Sequence, residues 1–137
     1  MRSFLFDTNA LVYWVNPSAE SNPEIKELIN KALESRAVIY ALTSSLSDVY
    51  YILHSQYTTE EVARNSVQFI AETFDLVDLT GIFVFEAIDS NEPDYEDGLI
   101  RAVAEAIEVD AIISYDKKAF RNSFIPRMTA EQALELV

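Results

Sequence analysis

The sequence contains no cysteine and a single histidine, His54. Without cysteine there is no disulfide framework, no thiolate-bound zinc or iron–sulfur centre and no thiol nucleophile. A serine–histidine dyad has only His54 to draw on. Glycine occurs twice and proline four times in 137 residues, which argues against repeat and disordered architectures. Long hydrophobic runs are also missing: Phe4-Leu5-Phe6 is cut off by Asp7, so neither a signal peptide nor a membrane span is expected, and a cytoplasmic chain is the simplest reading. Positive charge is scarce, with 10 Lys and Arg against 23 Asp and Glu and a formal charge of −13. Such a chain should be soluble, should attract cations and, on net charge alone, offers a poor grip for nucleic acid. What remains is mostly oxygen chemistry.

Half of the residues are apolar, enough for a real core, and with no linker, repeat or low-complexity segment a single domain over residues 1–137 is expected. Ser3 to Phe6 reads as a buried strand that runs into the helix-capping cluster Asp7-Thr8-Asn9. Pro23 to Ser35 carries Ile25, Leu28, Ile29, Ala32 and Leu33 at helical spacing. Ala37 to Leu42 is a second buried strand, after which Thr43-Ser44-Ser45 should cap a helix reaching about Gln56. Thr58 and Glu61 have capping-box spacing for a helix ending near Phe74, and Asp75 to Leu79 is a third short strand. Ile82 to Ile88 is apolar almost all round, which predicts a helix buried on more than one side, in the core or in a subunit interface. Asp94 to Glu108 reads as helix, Ala111 to Ser114 as strand, and Thr129 to Leu136 as a final capped helix. Short strands alternating with helices predict a parallel sheet covered on both faces, an α/β sandwich.

In open sheets of this kind, ligands bind beyond the carboxyl ends of the strands. Asp7 and Asp116 stand at two such ends, and Asp48 and Asp97 fall near the starts of helices, whose dipoles favour negative charge. Several carboxylates with no soft donor suit Mg²⁺ or Mn²⁺. The chemistry this supports is phosphodiester hydrolysis by a metal-activated water, which needs neither cysteine nor histidine. Singly, each acid has an ordinary explanation: Asp7, Asp48 and Asp97 as helix-cap or dipole residues, Asp116 as a turn residue before Lys117-Lys118. The signal lies in their combination.

Phe6-Asp7-Thr8-Asn9-Ala10-Leu11, a helical acid after a Ser/Thr cluster, Asp94-Tyr95-Glu96-Asp97-Gly98-Leu99 and Ser114-Tyr115-Asp116-Lys117-Lys118-Ala119-Phe120 resemble, in order and spacing, the motifs of the PIN-domain family. The resemblance covers nearly the whole chain. It implies a small three-layer α/β/α sandwich with a short parallel sheet, and a Mg²⁺- or Mn²⁺-dependent ribonuclease like the VapC-type toxins of toxin–antitoxin pairs. Matched residue by residue, Asp7, Asp97 and Asp116 take the first, third and fourth acidic positions. Asp48 falls where the family usually has Glu, one methylene longer. Thr8, Asn9 and Ser114 match small polar positions beside the family site and are candidates to orient its ligands. Asp94, three residues before Asp97, is foremost a helix cap. The implied partners are single-stranded or structured RNA, an antitoxin-like protein and a second copy of the chain, with no membrane.

Lys117, Lys118 and Arg121 cluster just beyond Asp116 and are the candidate contacts to an RNA backbone, with Arg101 a weaker one. Trp14, Tyr50, Tyr51 and Tyr57 have the chemistry to stack on bases, but Trp14, Tyr50 and Tyr51 lie in apolar stretches that favour packing, and His54 reads as a helix-face residue. Two other classes stay open. One is a nuclease-fold module that binds metal or nucleic acid with little catalysis, suggested by Asp48 and the charge. The other is a haloacid-dehalogenase-type phosphotransferase or receiver-like domain, disfavoured because Asn9 stands where the former needs a second Asp.

Overall fold

The computed structural model describes residues 1–137. The apolar run Ser3–Phe6 forms β1, and the chain turns directly into α1 (Thr8–Val15) and then α2 (Asn22–Glu34). β2 (Val38–Leu42) leads into α3 (Thr43–Gln56) and α4 (Glu60–Thr73), and β3 (Asp75–Val77) into α5 (Gly81–Asp89) and α6 (Tyr95–Ile107). β4 (Ala111–Ile113), β5 (Arg127–Met128) and α7 (Ala130–Leu134) complete the chain. All strand pairs are parallel, in the order β3-β2-β1-β4-β5.

Strand alternation divides the core into two layers. Phe4, Phe6, Ile39, Ala41, Ala111 and Ile113 point to one face, where α1, α2, α3, α4 and α7 pack. Leu5, Leu42 and Ile112 point to the other, covered by α5 and α6. The result is the expected three-layer α/β/α sandwich. Because β2 and β3 extend the sheet on one side of β1 while β4 and β5 extend it on the other, the strand order reverses between β1 and β4. Connections leave in opposite directions there and open a crevice at the carboxyl ends of the two strands.

Several expectations need correction. Thr43, Ser44 and Ser45 do not cap α3; the cap position is Leu42, which makes no side-chain cap, and the three polar residues form the first helical turn. At α4 the cap is Thr59, whose hydroxyl accepts from the Val62 amide, one residue later than the Thr58–Glu61 box. β5 was not anticipated: it is a two-residue edge strand of Arg and Met without an apolar run. The sharpest difference is α5. Of its residues only Ala87 is buried, while Ile82, Phe85 and Ile88 are each more than 60% exposed. The helix leans on α6 through a narrow stripe and leaves its apolar remainder uncovered by the monomer.

Candidate active site

Asp7 is the last residue before α1 and its N-cap, with Oδ1 accepting the Ala10 amide at 2.8 Å. Its own amide donates to the Ile113 carbonyl, so the side chain is held at the β1/β4 switch point. Ser114, fully buried at the end of β4, lies beside Asp7 and accepts the amide of Asp116 at 3.1 Å. Asp116 in turn accepts the Lys118 amide at 2.9 Å, an Asx turn that fixes its carboxylate beside the strand end. On α6, Asp94 is the N-cap, as expected, and receives the Asp97 amide at 2.8 Å. That leaves the Asp97 side chain free to face the crevice.

Electrostatics tie these acids together. Burial pushes Asp7 up to about 6, opposed by the neighbouring Ser114 and the Ala10 hydrogen bond and reinforced by the charge of Asp116. Burial also pushes Asp97 up to about 7, with further repulsion from Asp94, Asp116 and Asp7. Its Oδ2 is buried with no hydrogen-bond partner. Asp7 and Asp97 thus resist ionising in a crevice that Asp116 also borders, an arrangement relieved by a proton or a cation.

Asp48 stands apart from this description. It is exposed, it lies in the second turn of α3 rather than the first, and its charge bears on Glu96. Glu96, half-buried in the first turn of α6, also accepts the Thr8 hydroxyl, and its acidity is weakened chiefly by burial and then by Asp48 and Asp94. Glu96 was missed in the sequence reading although it lies inside the DYEDG motif. Its neighbour Asp97 took the role, because one step around a helix turns a side chain by about 100° and only one was expected to face the crevice. Arg127 was missed as well: its guanidinium donates to the Ser114 carbonyl at 2.9 Å and tempers the charge of Asp7.

Among the remaining candidates, Thr8 is buried and bonded to Glu96, whereas Asn9 is exposed and makes no side-chain hydrogen bond. Lys117, Lys118 and Arg121 are exposed and form no ion pair, with Arg121 donating to the Lys117 carbonyl. Arg101 is not free for a phosphate; it is engaged by Glu92 at 3.1 Å and Glu105 at 3.0 Å. Trp14 is buried and stacks on Phe69, and Tyr50 donates to Glu60. Tyr51 is 72% exposed, contrary to its expected packing, and His54 lies on the helix surface against Tyr50. A cleft of about 670 Å³ lies to one side of the carboxylates, lined by residues of α1, α2 and α7 and by Tyr115, the neighbour of Asp116.

No three acidic or histidine side chains stand together in coordinating geometry. The donor set nevertheless fits a hard divalent cation: it is all oxygen, it is crowded with like charge, and Asp97 offers a buried oxygen that nothing else satisfies.

A family model for the PIN domain matches residues 3–118. No curated protein matches the chain. Among solved structures, the chain is similar to the Mycobacterium tuberculosis toxin VapC20, described as cleaving the sarcin–ricin loop, with 13% identity, a TM-score of 0.67, and coverage of 82% of this chain and 89% of that one. It is also similar to VapBC2 from Rickettsia felis bound to a promoter DNA fragment, with 17% identity, a TM-score of 0.67 and coverage of 93% and 98%. A third similarity is to FitAB bound to a DNA fragment, with 13% identity, a TM-score of 0.72 and coverage of 93% and 94%. At these identities the likeness is one of fold.

Proposed function

The chain belongs to the PIN domain family, and on that premise we propose that it is a Mg²⁺- or Mn²⁺-dependent endoribonuclease of the toxin type. The observation that carries this reading is the meeting of Asp7, Asp97 and Asp116 at the β1/β4 switch point, with the Asp97 Oδ2 buried and unpartnered. Asp7, Asp97 and Asp116, with Asp48, are the residues that would hold the ion. When bound, such an ion supplies an acidified water and stabilises charge on the phosphoryl oxygens.

The chain's own groups supply the rest. Asp7 is held by two bonds, from the Ala10 amide and through its own backbone link to β4, so its carboxylate keeps one orientation. The Asp7 amide bonded to Ile113 and the Asp116 amide bonded to Ser114 keep the two strand ends together. Lys117 and Lys118 lie beside the acids with no competing carboxylate and are placed to meet a phosphate of single-stranded or structured RNA. The −13 charge keeps that grip local and makes it depend on cation loading.

A protein partner belongs to the same reading, since two of the solved relatives are toxin–antitoxin-type complexes. We assign this chain an antitoxin-like partner, and the exposed apolar face of α5 to a contact with that partner or a second copy. A second reading, a PIN module that binds metal or nucleic acid without appreciable turnover, draws on the charge of Asp48 bearing on Glu96.

Calorimetric titration of Mn²⁺ and Mg²⁺ into the wild type and Asp7→Asn, with cleavage of single-stranded RNA in parallel, tests the proposal. Metal binding and cleavage in the wild type alone support it. Binding without cleavage selects the second reading, and no binding makes the acidic cluster structural.

A further inference from the structure

We propose that Glu92 and Arg101 are positioning residues: together they latch the loop between β4 and β5 onto α6, and so set where Lys117 and Lys118 stand beside Asp116. The consequence for RNA rests on the ribonuclease reading above, whereas the latch itself does not.

The loop runs from Asp116 to Pro126 with no helix or strand of its own. It is nevertheless held by charged groups. Glu92, in the turn between α5 and α6, has a side chain only 2% exposed. The Phe120 amide donates to one of its oxygens at 2.7 Å, and the Arg101 guanidinium to the other at 3.1 Å. Arg101 donates onward to the Asn122 carbonyl and to Glu105, both at 3.0 Å, and Glu105 accepts the Ser123 hydroxyl at 2.7 Å. The planar fork of a guanidinium suits it to donate in several directions at once.

The helix alone would require only the pair of Arg101 with Glu105 one turn on. The bonds to Glu92 and Asn122 bring in two other segments, so the network is built across elements. Phe120 has a φ of 67°, a left-handed conformation that a bulky residue keeps only where its surroundings impose it. Its ring is buried with Ala119 and Ile125 in the layer under α5 and α6, so packing pins the side chain and Glu92 pins the amide. Arg101 lies four residues after Asp97 on α6, and Phe120 four residues after Asp116. The latch therefore joins the helix of one crevice acid to the loop of another, with Lys117 and Lys118 in the short stretch between Asp116 and the fixed residue.

Limited trypsin digestion of the full chain tests the latch, with cleavage after Lys117, Lys118 and Arg121 followed against cleavage within helices after Lys26, Lys31 and Arg64. Glu92→Gln keeps the shape of the side chain but turns one acceptor into a donor facing an N–H. It is expected to speed loop cleavage about 10- to 100-fold while the helical sites stay as in the wild type. Equal acceleration at every site, or none in the loop, overturns the latch. Anisotropy with single-stranded phosphorothioate RNA at saturating Mn²⁺ reads the consequence. Glu92→Gln should weaken RNA binding about three- to tenfold in the wild-type background, and by less than about twofold once Lys117→Ala and Lys118→Ala are both present. An equal loss in both backgrounds, or no loss in either, overturns the positioning role and leaves the ribonuclease reading intact. Failure of the wild type to bind RNA overturns that reading and the role in RNA binding with it, and the digestion still decides the latch. Should Glu92→Gln fail to melt cooperatively, Arg101→Lys carries the same measurements, because one ammonium cannot reach Glu92, Glu105 and the Asn122 carbonyl together.

Discussion

The Ser114 side chain at the end of β4 stands beside the Asp7 carboxylate at the end of β1 and favours its ionised form, while its hydroxyl oxygen accepts the amide of Asp116. One buried side chain thus borders two acids from two strands. Ser114→Ala takes a polar neighbour from buried Asp7 and the acceptor from the Asp116 amide, a change expected to cost about 1–3 kcal/mol of stability. It also removes a group that favours the ionised form, so Asp7 should become harder to ionise and Mn²⁺ affinity should fall about tenfold or more. Urea unfolding and calorimetry on the same protein check both. A stability loss with full metal affinity would show that Ser114 serves packing alone.

The raised acidities of Asp7 and Asp97 fix the direction of the pH dependence. Both ionise near 3.8 when unfolded, and at about 6 and about 7 when folded. Between these limits the folded chain binds more protons than the unfolded one, so their contribution is fully present below about pH 4 and lost as the pH rises to about 8. The metal-free protein should therefore gain stability from these two groups on going from pH 8 to pH 5.5, and Mn²⁺ should restore at pH 8 what their ionisation costs. Thermal melts across that range, with and without metal, measure it. A metal-free melting temperature that rises steadily from pH 5.5 to pH 8 would contradict the assignment.

Asp7→Asn separates stability from function at a single residue. Asparagine caps a helix about as well as aspartate, and its oxygen still accepts the Ala10 amide, but it carries no charge to bury. The variant should be more stable than the wild type at pH 8 without metal, by about 1–3 kcal/mol or roughly 3–8 °C. It should also lose Mn²⁺ binding. Asp7→Ala, which loses the cap as well, should be less stable than Asp7→Asn by about 1 kcal/mol.

The parts of the site carried by single strand ends were legible in the sequence. Phe4-Leu5-Phe6 running into Asp7, and Ala111-Ile112-Ile113 running into Ser114 and Asp116, announce both the strands and the place where their side chains emerge. What depended on how elements meet was not legible. Asp48 and Glu96 are 48 residues apart in the numbering, and no local pattern tells that the charge of the one bears on the other. The α5 face escaped for a related reason: an all-round apolar stretch says that the helix shuns water, not whether the monomer supplies anything to cover it. At α4, Thr58 and Thr59 both have capping chemistry, so the choice rested on a one-residue register that only the backbone decides.

Gly98 shows how closely α5 and α6 approach. A Cβ added there would lie 2.7 Å from the Ser90 hydroxyl oxygen and 2.9 Å from the Ala87 carbonyl oxygen. Alanine is the better helix former by about 1 kcal/mol, but the carbonyl is backbone and cannot swing aside. Gly98→Ala should force α5 outward and destabilise the chain by about 1–3 kcal/mol. Because Asp97 is on the same turn, Mn²⁺ affinity should fall along with the urea midpoint. A stabilised variant would show that the two helices are not seated this closely.

The basic residues beyond Asp116 make their own prediction through salt. Lys117 and Lys118 are exposed and pair with no carboxylate, so neither should matter to folding, and each replacement by Ala should change stability by less than about 0.5 kcal/mol. If each neutralises one RNA phosphate, the slope of log affinity against log salt should flatten by about 0.7 per lysine removed. Anisotropy with single-stranded phosphorothioate RNA, which resists hydrolysis, and saturating Mn²⁺ reads the slope for the wild type, Lys117→Ala, Lys118→Ala and the pair. Additive flattening would place both lysines on the backbone of the bound strand. An unchanged slope with unchanged affinity would make them a solvated turn, and the cation in the carboxylate cluster would then be the main grip that so acidic a chain has on RNA.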